Sequence, residues 1–431
     1  MSLRACVRIA RSSSVFCSRI IFARTQLTTR LLQPGNVVCC PGRDDGYLLP
    51  PARFISSDAL WSRLMKGKFA ESESGPTLLP ASVPPDSGQQ ISLLMRHPNQ
   101  PENAKVLKVA IIGAPNAGKS TLSNQLLGRK VFAVSKKVHT TRTRAMGVLT
   151  EDETQIILLD TPGLTTPSKV KRHQLEKSLL IDPWNTIKEA DLVVVLVDVS
   201  DRWMRGRLDF EVLKCLAQHS DTPAILVLNK VDLIKAKDRL LDITAELTCG
   251  TVNGHNPQFL HHSDKTEEPA APDQDKSLLT KEQLQALSSQ RGWPHFKDVF
   301  MLSSLNKEDV ETLRSYFLVN AKSGDWQYHS EVLTDQSPQE ICTNVIREKL
   351  LEYLPQEVPY SLTQRVELWH EGENGELDIS VRLYAKKETH VSMVIGTAGQ
   401  MVARMAREVS EDLSHIFLTE VCVKLSVKLK K

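Results

Sequence analysis

No run of apolar residues in this 431-residue chain approaches the roughly 18 needed for a membrane-spanning helix. Cysteine is sparse, at eight residues. Cys6, Cys17, Cys39 and Cys40 crowd the beginning of the chain, and Cys215, Cys249, Cys342 and Cys422 are scattered. None of the latter has C-x-x-C spacing, which argues against a structural metal and for free thiols. Acidic residues are missing from two stretches. The first 43 residues carry arginine at 4, 8, 11, 19, 24, 30 and 43 and no Asp, Glu or Lys. They are rich in serine, and Val7 to Ile21 can form a basic amphipathic helix. A secretory signal would need one longer apolar core, so residues 1–55 read as a mitochondrial transit peptide, with cleavage between Arg43 and Ser57. A disordered basic arm is the bland alternative. A reducing matrix fits the cysteine usage. The second gap runs from Ser120 to Thr150, which makes that segment strongly basic. It reads either as a solvated loop or as a surface close to RNA or phosphate.

What is present is more specific. The apolar run Val109-Ala110-Ile111-Ile112 leads into Gly113-Ala114-Pro115-Asn116-Ala117-Gly118-Lys119-Ser120, followed by Thr121. This is G-x-x-x-x-G-K-[ST] where a strand should turn into a helix. Successive backbone N–H groups there form a nest for phosphate at a helix N-terminus. Lys119 is expected to reach the outer phosphates, and Ser120 to hold Mg²⁺. A second strand, Gln155 to Asp160, ends in Asp160-Thr161-Pro162-Gly163. This D-x-x-G places a carboxylate opposite Ser120, where it can hold the metal through water, and a Gly163 N–H near the γ-phosphate. A third, Ala224 to Leu228, ends in Asn229-Lys230-Val231-Asp232. The Asp232 carboxylate can accept from both guanine N1–H and the exocyclic amine, neither of which adenine offers. A site built on such pairing discriminates by about 10⁴-fold. GTP is therefore the expected nucleotide, with Lys230 along the base and Asn229 tying this loop to the P-loop.

Two elements are softer. In Lys136-Lys137-Val138-His139-Thr140-Thr141-Arg142-Thr143-Arg144, Thr141 is the candidate to close over the γ-phosphate and complete the Mg²⁺ shell, with Thr140 second. Val299 to Leu302 reads as the last strand and leads to Ser303-Ser304-Leu305, where a backbone N–H can meet guanine O6. Lys119, Thr141, Asp160 and Gly163 are the residues expected to act in hydrolysis.

G-A-P-N-A-G-K-S, T-T-R-T-R, D-T-P-G and N-K-V-D together resemble the Era family of GTPases, in the broader group that includes the TrmE proteins. Ras-type GTPases orient the attacking water with a glutamine after D-x-x-G, and Leu164 stands there. Leucine cannot hydrogen-bond the water, so slow intrinsic hydrolysis is expected. Relatives lacking this glutamine often use a monovalent cation held partly by a P-loop asparagine, and Asn116 matches that position. Either Asn116 takes part in a K⁺ site or it only braces the loop.

Composition is otherwise ordinary, with 41% hydrophobic and 24% charged residues and a net charge of +3. The length allows two or three domains. Residues 56–105 read as a flexible lead-in with a short helix at Asp58 to Lys66. Residues 106–322 read as a doubly wound α/β GTPase domain, with strands at 107–112, 155–160, 191–198, 224–229 and 299–303. From about 250 to 292 the chain is polar, with His255, His261, His262 and the acids Asp264, Glu267, Glu268, Asp273 and Asp275. The irregular spacing favours an unstructured insertion over a metal site.

Residues 323–431 have a different pattern. Pro338 to Leu354 reads as a helix, and Tyr360 to Trp369 and Glu376 to Tyr384 read as strands around Gly372-Glu373-Asn374-Gly375. Ile395-Gly396-Thr397-Ala398-Gly399 precedes a helix from Gln400 to about Ser414, and a strand covers 421–428. The order α-β-β-α-α-β with I-G-x-x-G between two helices resembles the α+β KH domain at the C-terminus of Era proteins. Glu357-Val358-Pro359-Tyr360-Ser361 resembles their lead-in to the first KH strand. The G-x-x-G loop lets an RNA backbone approach closely beside a groove for about four unpaired bases. Lys386, Lys387, Arg404 and Arg407 flank it as candidate phosphate contacts. The resemblance implies a GTP-driven switch in the mitochondrial matrix. It also implies binding to small-subunit ribosomal RNA near its 3′ end during assembly of the small ribosomal subunit. A monomer is expected and no DNA partner; contact with the inner membrane stays open. A tRNA-modification GTPase and a passive RNA scaffold are the rivals; no folate-binding or further catalytic domain supports the first, and the intact Lys119, Ser120, Asp160 and Asp232 argue against the second.

Overall fold

The computed structural model describes the backbone of 20–22 and residues 82–135, 137, 145–161, 186–254, 280–373 and 375–430. The apolar runs form the strands β1 (Ile20–Phe22), β2 (Lys105–Gly113), β3 (Ala145–Glu151), β4 (Thr154–Asp160), β5 (Leu192–Asp198), β6 (Ala224–Asn229), β7 (Phe296–Met301) and β8 (Lys322–Ser323). They make one sheet in the order β1-β7-β6-β5-β2-β4-β3, with β8 beside the start of β2. Pairing is parallel except at β3–β4 and β2–β8.

The central strands are apolar throughout because both of their faces are covered. Val109 and Ile111 of β2, with Val194, Leu196, Ile225 and Val227, pack on one side against α2 (Lys119–Leu127) and α6 (Lys307–Asn320). Ala110, Ile112, Val193, Val195, Leu226 and Leu228 pack on the other against α3 (Phe210–Gln218), α4 (Arg239–Leu247) and α5 (Lys281–Ser289). Every nucleotide motif leaves the sheet at the C-terminal end of a parallel strand, where doubly wound folds bind ligands.

The second unit runs α7 (Pro338–Tyr353), α8 (Val358–Ser361), β9 (Thr363–Glu371), β10 (Leu377–Ala385), α9 (Glu388–Ile395), α10 (Gln400–Phe417) and β11 (Val421–Leu429). Its sheet order is β11-β10-β9, antiparallel at β9–β10 and parallel at β10–β11. Ser337 and Glu340 close a capping box at the start of α7, and Pro338 occupies its first turn. Along α10, Met405, Val409, Leu413, Ile416 and Phe417 recur at helical spacing and are buried. The unit docks along β3: Thr334 bridges to Gly147, and its hydroxyl donates to the Met146 carbonyl at 2.6 Å. This docking covers a sheet edge that would otherwise be exposed.

The structure departs from the sequence reading in several places. The lead-in expected over 56–105 is described from 82 onward, and that part is structured. It contains helix α1 (Ser87–Met95), N-capped by Asp86. Gln90 of α1 is buried and donates to the carbonyls of Thr334 at 2.8 Å and Gln336 at 3.2 Å. A helix anchored by a buried polar group has no apolar period to reveal it. The helix at Asp58 to Lys66 lies outside the described residues, as does most of the transit segment. Ile20 and Ile21, at the end of its expected helix, are extended in β1. The insertion at 250–292 is only partly irregular: Thr280 and Gln283 form a capping box on α5, and Val252 is buried. The histidines and acids from His255 to Asp275 lie outside the described residues. Strand β3 went unread because Ala145 and Gly147 dilute its apolar run. A Cβ on Gly147 would come within 2.7 Å of Leu127 and 3.1 Å of Phe132, so glycine is what lets β3 sit against α2. β7 begins at Phe296 rather than 299 and ends at Met301. Tyr360 and Ser361 belong to helix α8 rather than to a strand, and α10 runs on to Phe417.

Candidate functional site

The P-loop leaves β2 at Gly113 (φ 153°), turns through Asn116 (φ 63°) and enters α2 after Gly118 (φ 100°). Asparagine tolerates the left-handed region better than most residues. The two glycines are required sterically. A Cβ would meet Leu196 O at 2.3 Å from Gly113, and Asn229 Nδ2 at 2.4 Å from Gly118. No side chain caps α2 at Gly118, and a helix N-terminus of this kind suits an anionic ligand. Ala114, Pro115 and Ala117 complete the turn, and Ala117 is buried. Thr121 lies in the first turn of α2.

Lys119 folds back over this nest. Its Nζ donates to Gly113 O at 3.2 Å and Ala114 O at 2.9 Å. Burial lowers its pKa to about 8, with the Asp160 carboxylate pulling the other way. Ser120 Oγ donates to Asp160 Oδ2 at 2.6 Å, and Asp160 is fully buried. A hydroxyl and a carboxylate held together beside the phosphate nest suit a hard cation with oxygen ligands such as Mg²⁺. Ser120 would bind it directly and Asp160 through water, and the ion would neutralise charge on the phosphate oxygens. Thr161 is buried, and its hydroxyl donates to Ile111 O at 2.7 Å. Thr140, Thr141, Pro162, Gly163 and Leu164 lie outside the described residues.

Asn229 organises the base side. Its Nδ2 donates to Ala117 O at 2.8 Å, and its Oδ1 accepts from the Ser304 N–H and Oγ, each at 2.9 Å. One buried side chain thus joins the P-loop, the end of β6 and the loop after β7. Lys230 (φ 62°) donates to Asn116 O at 2.9 Å and pairs with Asp198 Oδ2 at 2.6 Å. Asp232 is exposed. The Ser303 N–H donates to Asp309 Oδ2 at 2.9 Å. Burial raises the Asp309 pKa, and the Ser303 N–H partly offsets this. Asp198 and Asp309 were missed in the sequence because neither falls within a motif.

In the second unit Ile395 ends α9, and Gly396 (φ 70°), Thr397, Ala398 (φ 50°) and Gly399 (φ 78°) form the turn into α10. A Cβ on Gly396 would approach Met401 Cβ at 2.5 Å, while Gly399 faces open space. Thr397, Ala398, Lys386, Lys387 and Arg407 are exposed. Arg404 is exposed too, but its Nε donates to Glu408 at 3.0 Å and its guanidinium stacks 4.7 Å above Tyr353.

The two sites are joined. Lys130 Nζ lies 2.7 Å from both Glu348 of α7 and Asp412 of α10. Glu348 also accepts the Val134 N–H at 2.8 Å, and Lys137 donates to Leu354 O. Lys349 pairs with Asp412 at 3.0 Å and with Glu408 at 3.5 Å, which brings the chain of charges to Arg404. Burial tends to raise the Asp412 pKa, but hydrogen bonding and charge from Lys130, then Lys349, hold it below the usual range. Residues 130–137 run straight into the segment containing Thr141. No sequence signal could have found these pairs, whose members are about 220 to 280 positions apart.

A doubly wound sheet with a phosphate nest, an N-K-x-D base loop and an appended G-x-x-G unit defines a P-loop GTPase carrying a KH domain. Residues 108–230 match the family described as 50S ribosome-binding GTPase. The mitochondrial GTPase Era of Salmo salar is 62% identical over 98% of this chain and 96% of its own length. That of Danio rerio is 54% identical over the whole of both chains. Among solved structures, Aquifex aeolicus Era bound to GDP·AlF4⁻ matches with a TM-score of 0.59 and 26% identity, over 76% of this chain and 94% of that one. A structure of Era with MgGDPNP and nucleotides 1506–1542 of 16S ribosomal RNA matches equally, at TM-score 0.59 and 26% identity over the same shares. This chain belongs to the Era family of GTPases, and it hydrolyses GTP. The names of these two relatives give it a mitochondrial location.

Proposed function

We propose that this chain is a GTP-driven RNA switch of the mitochondrial matrix. It binds small-subunit ribosomal RNA near its 3′ end and assists assembly of the small ribosomal subunit, acting as a monomer. The observation that supports this most is the clamp of Lys130 and Val134 onto Glu348 and Asp412, because it links the stem of a nucleotide switch to the helices behind an RNA-binding loop. The Era structure with a 16S fragment supports the RNA class.

In this reading 106–322 is the GTPase domain and 323–431 the KH domain. Lys119, the P-loop N–H groups and Gly163 hold the phosphates, and Asn229, Lys230, Asp232 and Ser304 hold guanine. Thr141 closes over the γ-phosphate, and its ordering is passed through 130–137 to α7 and α10. Ile395, Gly396, Thr397, Ala398 and Gly399, with Lys386, Lys387 and Arg407, take the RNA, and hydrolysis releases it. Leu164 makes hydrolysis slow, and K⁺ near Asn116 speeds it. Equal turnover in Na⁺ and K⁺, in wild type and in Asn116→Ala, refutes the K⁺ part.

The test crosslinks the protein to RNA in mitochondria and sequences what is attached, beside a variant with Thr397→Asp and Ala398→Asp. A peak near the 3′ end of the small ribosomal RNA, lost in the variant, is the expected result. A tRNA signal overturns the ribosomal role. RNA affinity that is equal with GTP analogue, GDP and no nucleotide overturns the switch.

A further inference from the structure

Immediately after β5, between Val199 and Leu208, the chain makes a knuckle, Ser200-Asp201-Arg202-Trp203-Met204-Arg205-Gly206-Arg207, that neither the nucleotide site nor the G-x-x-G loop uses. Val199 and Leu208 are buried at 0% and 2% exposure and pin both ends. Trp203 is 93% exposed and Met204 48%. An indole left almost wholly in water forgoes one of the largest burial gains any side chain offers. It does so here on a constrained backbone. Asp201 Oδ1 accepts the Trp203 N–H at 2.9 Å and the Met204 N–H at 3.4 Å, and Asp201 O accepts the Arg205 N–H at 3.0 Å. Arg207 donates to Ser288 O at 2.8 Å, and its neighbour Leu208 donates its N–H to Arg291 O at 2.8 Å. A Cβ on Gly206 would meet Glu246 Oε2 at 2.5 Å, so the turn is packed closely against α4.

The charge of the knuckle is mainly positive, with the Glu246 carboxylate lying against Gly206. Arg202, Arg205 and Arg207 flank the indole, and no carboxylate among the described residues pairs with their guanidinium groups. The one acid of the knuckle, Asp201, is exposed, and its carboxylate accepts two backbone N–H groups. A dry protein-binding anchor needs an apolar rim that excludes water, and within the knuckle Met204 is the one other large apolar side chain exposed with Trp203. Membrane-surface binding is built from an amphipathic helix burying a broad apolar face, and this segment is a turn. A flat π-face flanked by guanidinium groups that, among the described residues, have no carboxylate partner matches instead an unstacked base with its adjoining phosphates.

We propose that the knuckle 201–207 is a second RNA contact. Trp203 stacks on an unpaired base, and Arg202, Arg205 and Arg207 hold the flanking phosphates. This rests on the reading of the chain as an RNA-binding GTPase and adds to it a contact on the GTPase unit. The knuckle springs from the strand whose last residue, Asp198, grips Lys230 of the base loop, so it lies at the edge of the nucleotide site.

The test uses the full chain with a GTP analogue and a single-stranded 3′ fragment of small-subunit ribosomal RNA. It compares wild type, Trp203→Ala, Trp203→Phe, Arg202→Gln with Arg205→Gln, and Thr397→Asp with Ala398→Asp. Photocrosslinks are mapped by mass spectrometry. Wild type is expected to give crosslinks on both the knuckle and the G-x-x-G loop. Trp203→Ala is expected to weaken binding about tenfold and to lose only the knuckle crosslink, since base–aromatic stacking is worth roughly 1–3 kcal/mol. Trp203→Phe should restore most of the affinity. The double Arg variant should lower the salt dependence of binding by about two phosphate contacts. GTP turnover without RNA should be unchanged in all knuckle variants, which shows that they fold. Unchanged affinity and crosslinks in Trp203→Ala, with binding still lost in the Thr397/Ala398 variant, overturn the knuckle and leave the RNA reading intact. Absence of RNA binding in wild type overturns both. Trp203-dependent sedimentation with cardiolipin vesicles, without an effect on RNA, assigns the knuckle to a membrane and overturns the proposal.

Discussion

Replacing Lys130 with methionine tests the joint between the two units most directly. The side chain keeps its length and loses its charge. Glu348, whose side chain is only 7% exposed, then keeps a single partner, the Val134 N–H. Asp412 retains Lys349 at 3.0 Å. Removing one member of a buried ion pair costs about 3–5 kcal/mol, and the partial exposure of Lys130 puts this case at the low end, about 3 kcal/mol. The structure supplies its own control. The Val131 and Phe132 N–H groups both donate to Asn124 Oδ1 at 2.8 Å, within the GTPase unit, whereas the Val134 N–H crosses to Glu348. Amide exchange at Val134 should therefore accelerate about a hundredfold in Lys130→Met, the factor that ~3 kcal/mol allows. Exchange at Val131 and Phe132 should change little. Equal acceleration at all three positions, or none at Val134, refutes the clamp. A double-mutant cycle with Glu348→Gln should give a coupling energy of about 2 kcal/mol, and a value below about 0.5 kcal/mol would mean the pair is ornamental.

Other consequences follow from individual groups. Asn229→Ala leaves the Ser304 N–H without its buried acceptor and unties the P-loop, at about 1–3 kcal/mol. Guanine nucleotide should bind roughly ten- to a hundredfold more weakly, and unchanged affinity by titration calorimetry would contradict this role. Lys119 has a pKa lowered to about 8 by burial, and phosphate favours its charged form. Below pH 8 it is already charged, so affinity there should not change through this group. Above pH 8 binding must take up a proton, and Kd should rise toward tenfold per pH unit, a slope lost in Lys119→Met. Cys249 and Cys422 are exposed, while Cys215 and Cys342 are buried, with burial pushing the Cys342 thiol up to about 12. A thiol reagent followed by mass spectrometry should label the first two quickly and the others only after unfolding.

The central strands were legible because they are buried on both faces, and such strands read as unbroken apolar runs such as Ile225 to Leu228. The nucleotide loops were legible because phosphate and guanine demand fixed residue types at fixed spacing, as in Gly113 to Ser120. The G-x-x-G turn was legible for the same reason, together with the alternating strands around it. Helix α1, held by Gln90 through two carbonyls about 245 positions away, had no such signature. Neither had β3, whose glycine exists to admit Leu127 and Phe132.

By itself, then, the sequence determined the local chemistry: which nucleotide is hydrolysed, and the residue types of the P-loop and of the G-x-x-G turn. Those are local properties, set by residues within a few positions of each other. The tertiary structure alone decided what joins them. Lys130 meets Glu348 and Asp412, Asn229 ties three loops into one cradle, and Trp203 is left outside the core beside Arg202 and Arg205. Each of these depends on which surfaces fold against one another, and a pairing across hundreds of positions leaves no periodicity in the chain to be read.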